Sequence, residues 1–234
     1  HWQEVADYMQ PRKADVTKLR SKGDKRTELI FDSSPLQAVE LLAASLHGML
    51  TNPSTPWFSL RFKDDLENED EAKEWLESAT ETMYAAFNRS NFQQEIFELY
   101  HDLITFGTAA MYVEEDSDDI LKFSTRHINE VYIAENDKGR IDTVYRKFKI
   151  SARAAIQQFG SAVSTKVDTI NAKDPYEEIE IIHAVYPRSD FNPKKQDKSN
   201  MPFESVYIEY SSGDQLSVSG FREFPFVVPR YLKA

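Results

Sequence analysis

One stretch limits what the rest of the chain can do. It runs from Leu29 to Leu60 and reads LIFDSSPLQAVELLAASLHGMLTNPSTPWFSL. Asp32, Ser33 and Ser34 offer oxygens at a helix N-terminus, and Pro35 stands where a first-turn proline loses no hydrogen bond. Leu36, Val39, Ala43, Leu46 and Leu50 recur at helical spacing. Asn52-Pro53 and Thr55-Pro56 end the helix, because a residue ahead of proline is pushed out of the α region. Trp57-Phe58 then lead an extended run. These signals predict a capped helix whose Leu36-Val39-Ala43-Leu46-Leu50 face packs on a helix over 91–106, with Trp57 and Phe58 anchoring the helical body to strands.

The flanks follow the same logic. His1 to Lys22 predicts a short helix with Trp2, Val5, Ala6 and Met9 on its apolar side and a break at Pro11. Lys63 to Glu71 is acidic and predicts a solvated helix start, since carboxylates favour the positive end of the helix dipole. Ala72, Trp75, Leu76, Ala79, Met83 and Phe87 predict a helix over 70–88. Phe92, Ile96, Leu99, Tyr100, Leu103 and Ile104 predict a third, ended at Gly107, with the widest apolar face. From Thr108 the period changes to that of strands. Thr108 to Glu114 and Ile120 to Ser124 flank an acidic turn, and Val131 to Ile133 and Ile141 to Ile150 flank Asn136-Asp137-Lys138-Gly139. Ser151 caps a helix over 152–159 closed by Gly160, and a weaker helix falls near 161–171. Glu178 to Tyr186, Phe203 to Tyr210 and Leu216 to Phe221 read as further strands. Helices first and mostly antiparallel hairpins afterwards predict an α+β fold: amphipathic helices over 1–107, and a mainly β part over 108–234 with its short helix near 151–160.

The chemistry of the side chains excludes more than it offers. A net charge of −11 argues against a surface built to grip nucleic acid, which needs a basic stripe. The one basic cluster is Lys18, Arg20, Lys22, Lys25 and Arg26 around Gly23, and it is the candidate contact for DNA or an acidic partner. With no cysteine there is no disulfide frame and no thiolate nucleophile or ligand. The seven glycines form no phosphate-cradling loop or dinucleotide fingerprint. His1, His47, His101, His127 and His183 are scattered, with no pair one helical turn apart; His47, His101 and His183 read as packing residues. Asp116, Asp118 and Asp119, or Asp64 and Asp65, are the least poor metal ligands if the chain were an acidic metal-dependent enzyme. A regulatory nucleic-acid binder using Lys18 to Arg26 is a further alternative. No apolar run reaches the roughly 18 to 20 residues that span a bilayer. The first residue is His1, and the last residues form an apolar, strand-like segment, so the sequence reads as part of a longer chain.

Several blocks, taken in order, carry a resemblance. They are Trp2 with Ala6-Asp7-Tyr8 and Pro11; Phe31-Asp32-Ser33-Ser34 through Trp57; Phe106-Gly107-Thr108-Ala109-Ala110-Met111-Tyr112; Gly139 to Phe148 with Ala155 to Gly160; Ile182 to Arg188; and Glu223 to Tyr231. Together they resemble the bacteriophage head-to-tail connecting proteins, the portal proteins of short-tailed phages, and the resemblance runs from end to end. It implies a structural, non-catalytic subunit without cofactor or metal, in a dodecameric homo-oligomeric ring at one capsid vertex of the virion. It also implies that double-stranded DNA is packaged and ejected through the axial channel, and that terminase, capsid and tail proteins dock on the ring. Assembly would take place in the host cytoplasm, away from membranes. On this resemblance the chain is the N-terminal, wing-like portion of a subunit; the stem, clip and crown are absent, and the fragment alone is monomeric.

Overall fold

The computed structural model describes residues 1–21, 23–62, 70–195 and 197–232. They form two compact units, residues 1–129 with 227–234, and residues 130–226. These units do not divide at the change from helical to strand periodicity near Thr108, because the first β-hairpin packs on the helices that precede it.

The first unit opens with α1 (Trp2–Met9) and a single 3-10 turn, Pro11–Lys13. The short helix expected within His1 to Lys22 ends just ahead of Pro11, where the break was expected, since Pro11 has no N–H to continue it. Trp2 fixes α1 by donating its indole N–H to the Phe106 carbonyl at 3.1 Å and setting its ring edge-on to the Phe106 ring. Next come α2 (Ser34–Leu50), α3 (Asp70–Arg89) and α4 (Phe92–Phe106). Asp32 supports the start of α2 by accepting the Ser34 N–H at 3.0 Å. The acidic connection ahead of α3 lies outside the described residues over 63–69.

Helix α4 is the axis of this unit, as its wide apolar face predicts. Phe92, Ile96, Leu99, Tyr100 and Phe106 are buried, and Gly107 closes the helix at φ +76°, a left-handed conformation that glycine adopts without strain. Val39 and Ala43 of α2 are buried, and Ala43 and Leu46 join the α4 core. Leu50 does not; it is 53% exposed, because the helix ends as it runs past that core. Trp57 enters the same core at an aromatic junction. Its ring stacks on Phe92 at 5.8 Å and meets Tyr84 edge-on, and the Tyr84 hydroxyl accepts the N–H groups of Trp57 and Phe58 at 2.6 Å each. Through Phe87, Phe92 and Phe123 the ring cluster reaches the hairpin, so the expected anchor is present. Helix α3 departs from expectation: none of its side chains is buried, and Trp75 is 62% exposed. Its inner side meets the extended segment 56–62 over most of its length, and Phe87 near its C-terminal end reaches the core. Strands β1 (Ala110–Asp116) and β2 (Ile120–Arg126) pair antiparallel from Ala110–Arg126 to Asp116–Ile120.

The second unit is a five-stranded antiparallel sheet in sequence order: β3 (Val131–Glu135), β4 (Ile141–Ser151), β5 (Glu178–Pro187), β6 (Phe203–Glu209) and β7 (Gln215–Phe221). Asn136 makes the β3–β4 turn by accepting the N–H groups of Lys138 and Arg140 on its side-chain oxygen, and Gly139 supplies the required positive φ. One face of the sheet carries Phe148, Ile179, Ile181 and Leu216 against α5 (Ala152–Phe159) and α6 (Thr165–Lys173). Ser151 and Ser164 cap these helices through their hydroxyls. After β7 the chain adds the short strand β8 (Phe226–Val227) beside β1. Pro229 and Tyr231 then hydrogen-bond with Ala109 and Gly107. The architecture is the α+β fold expected, helices with antiparallel hairpins.

Candidate interaction surfaces

The basic cluster shows how a sequence motif is spent on folding. Gln3 on α1 turns its side-chain oxygen to the N–H groups of Val16, Thr17 and Lys18 at 2.8–3.2 Å, while its amide nitrogen donates to Asp7 and to the Ala14 carbonyl. Arg20 donates to Asp7 at 2.6 Å and to the Ala14 carbonyl at 3.2 Å. Arg26 donates to Asp15 at 2.6 Å. The Arg26 hydrogen bond, seconded by Arg20, holds the Asp15 carboxyl below the ordinary carboxylate range. Of the five candidate cations, Arg20 therefore ties segment 14–26 to α1 and Arg26 folds the segment on itself through Asp15, Lys18 and Lys25 stay exposed, and Lys22 lies outside the described residues. Neither Gln3 nor Asp7 carries a local sequence signal for this role, since their partners lie 11 to 15 residues on.

Deeper in the same unit, Asp102 on α4 is only 1% exposed. Burial pushes its carboxyl above the ordinary range, opposed mainly by Lys13, whose ammonium sits 3.0 and 3.2 Å from the two oxygens. Lys13 also reaches Glu98 at 3.4 Å. The Lys13 carbonyl accepts from His127 Nε2 at 2.8 Å, and His127 Nδ1 accepts the Asn129 N–H, which assigns the neutral Nε2–H tautomer. The Asn129 amide donates to the Asp15 carbonyl at 2.6 Å. This network ties the 3-10 turn and residues 127–129 to α4 around the buried Asp102.

The other histidines hold packing positions, as expected. His47 donates to Gln93 at 2.8 Å, and His101 lies 3.1 Å from Glu40. His183 is buried in the second unit, 2.9 Å from the Ser205 hydroxyl and stacked parallel on Tyr207 at 4.0 Å. Glu209, also buried, accepts from the hydroxyls of Ser164 and Ser211 and from the Ser164 N–H, so it ties β6 to the start of α6. Asp116 spends one oxygen on the N–H groups of Asp118 and Asp119, and those bonds hold its carboxyl low. Among the described residues no three metal-binding side chains converge. Asp64 and Asp65 lie outside them.

What the first unit does present is surface relief. Between α1 with its 3-10 turn, α2 and α4 run two adjoining cavities of about 780 and 640 Å³. Gln10, Arg12 and His101 line both, so they form one trough. A groove of about 480 Å³ lies between segment 56–62 and the inner side of α3. Leu41 and Met49 of α2 are 71% and 79% exposed, and no helix among the described residues is long and apolar enough to cross a membrane. Exposed apolar side chains beside open grooves suit recognition of other macromolecules.

The comparisons with known proteins agree with that reading. The family model described as bacteriophage head to tail connecting protein matches residues 1–234. A protein named "Probable portal protein" from Bordetella phage BPP-1 is 33% identical over 237 aligned positions, covering 99% of this chain and 43% of that protein. A "Portal protein" from Salmonella phage epsilon15 is 35% identical over 238 positions, with the same coverages. The chain thus spans less than half the length of these curated relatives.

Proposed function

The chain belongs to the bacteriophage head to tail connecting protein family, and from that premise we propose that it forms the wing-like portion of a phage portal subunit. In this role it is scaffolding. The subunits close into a ring, with twelve copies expected from the family resemblance, at one capsid vertex of the virion. DNA enters and leaves along the axis, and terminase and then tail proteins dock on the ring. The observation that carries the reading is the family match across the whole chain, together with two portal relatives aligned over 99% of it.

The physical chemistry supports the same role. A conduit has to let a dense polyanion slide, and each lysine or arginine fixed to a phosphate adds salt-dependent grip through counterion release. A chain of net charge −11, whose Arg20 and Arg26 are paired with Asp7 and Asp15, offers little of that grip. Lys18 and Lys25 remain as the candidate contacts for DNA or an acidic partner. The side chains that would serve in catalysis, His127, His183, Asp102 and Glu209, are enclosed in structural networks. The test is genetic. Phage in which this reading frame is interrupted should build heads that hold no DNA, with filling restored when the intact protein is supplied in trans. DNA-filled heads without it would overturn the proposal.

A further inference from the structure

Helix α2 is apolar around most of its circumference. Glu40 is the only acidic or basic residue in its seventeen positions apart from His47. A helix of that kind is stable in water only where most of its circumference is covered. The α4 core covers Ala43 and Leu46, Val39 is buried, and the flank that bears Leu41, 71% exposed, is one wall of the trough described above. Met9, Leu36 and Phe97 give the trough an apolar lining, its carboxylates Glu40 and Glu98 lie by His101 and Lys13, and Arg12 stands where its two halves meet. Arg12 is exposed and has no ion-pair partner among the described residues, whereas Lys13 is committed to Asp102 and Glu98.

The same chain carries a surface of opposite character. On α3, Glu71, Glu74, Trp75, Ser78 and Thr82 lie off the groove formed with segment 56–62, and all are exposed. Glu71 and Glu74 have no cationic partner among the described residues; Lys73, the one lysine of α3, sits by Asp70 at 3.7 Å. Trp75 is held at 62% exposure with its ring against Phe62 at 6.1 Å, so the indole is presented rather than tucked in. An exposed tryptophan flanked by acids matches a trough with an apolar floor and a free arginine. Large aromatic anchors entering such pockets are where interface energy concentrates. Two unlike, mutually complementary patches on one chain make a head-to-tail contact, the kind that builds a ring where its rotation closes, rather than a two-fold dimer.

We propose that the trough walled by α2 receives the acidic outer side of α3, led by Trp75, from a second copy of this chain. The inference rests on the portal reading and specifies which surfaces meet. Its test uses the full-length portal subunit. Trp75→Glu and Arg12→Glu should each weaken assembly at least about tenfold per contact, as loss of an interface anchor does. Adding Glu74→Arg to Arg12→Glu should restore assembly by exchanging the charges. These 234 residues hold no cysteine, so with any cysteine elsewhere in the subunit replaced by serine a Gln37→Cys, Ser78→Cys pair reports alone: mild oxidation should give a ladder of disulfide-linked multimers on a non-reducing gel. Rings that assemble equally well with Trp75→Glu, or that yield no interchain cross-link, would overturn the interface and leave the portal reading standing. An unaltered full-length subunit that never associates would instead remove the portal reading, and the interface with it.

Discussion

Replacing Lys13 by methionine should destabilise the first unit, and more so in alkali than in acid. Asp102 is 1% exposed, and Lys13 is its one cationic contact among the described residues, at 3.0 and 3.2 Å. Removing one partner of a buried pair typically costs about 3–5 kcal/mol because the remaining charge is stranded. The Lys13 side chain is 29% exposed, so water already screens part of the interaction, and about 2–3 kcal/mol at pH 8 is the better figure. The pH dependence follows from linkage. The folded Asp102 pKa lies above its unfolded value, so the native state binds the extra proton and its stability falls as pH rises through that window. Methionine removes the chief force opposing that rise, which widens the window upward. At pH 5 the stranded carboxyl can take up a proton, and the penalty should shrink to about 1 kcal/mol. Urea unfolding followed by tryptophan fluorescence at pH 5 and pH 8 measures the difference, and Lys13→Met with Asp102→Asn should recover most of the loss. A penalty under about 0.5 kcal/mol, or one equal at both pH values, would refute the claim that Asp102 is a desolvated carboxylate held by Lys13.

Two further substitutions probe the backbone. Gly220 on β7 has no room for a side chain, since a Cβ there would lie 2.7 Å from the Phe203 carbonyl oxygen and from Met201 Cβ; Gly220→Ala should lower stability by about 1–3 kcal/mol in urea unfolding followed by circular dichroism, because the tryptophans all lie in the other unit, and an unchanged midpoint would contradict the close approach. Ile120 sits at φ +72° with the Leu121 N–H bonded to the Asp119 carbonyl at 2.8 Å, a γ-turn that a β-branched residue adopts only under strain; Ile120→Gly should raise stability by about 1 kcal/mol, and a clear loss would show the turn to be relaxed.

Much of the fold could be read from the sequence because its signals are local. Ser151 and Gly160 bracket α5 with a cap and a stop a few residues apart, Asn136 to Gly139 spell a turn, and α4 repeats its apolar residues over its full length. What could not be read depends on partners distant in sequence. The periodicity of α3 is as regular as that of α4, yet only Phe87 near its C-terminal end reaches the core and the rest of its inner side meets an extended segment, so Trp75 ends exposed. The basic run from Lys18 to Arg26 looks like a free patch until Asp7 and Asp15 are brought to Arg20 and Arg26. Leu50 keeps the helical period of Val39 and Ala43 but outruns the core they enter. Among the candidate surfaces, the trough could not be anticipated at all. It is made by three elements, and Arg12 reads in sequence as an ordinary residue after a proline.

The central claim, that this chain builds part of a ring-forming portal subunit, meets its most direct test in electron microscopy of the purified full-length subunit. Closed rings with an open axial channel and radially projecting wings are expected, with the two units of this chain found in those wings. A subunit that remains monomeric at every concentration tried, with no ring in any field, would contradict it.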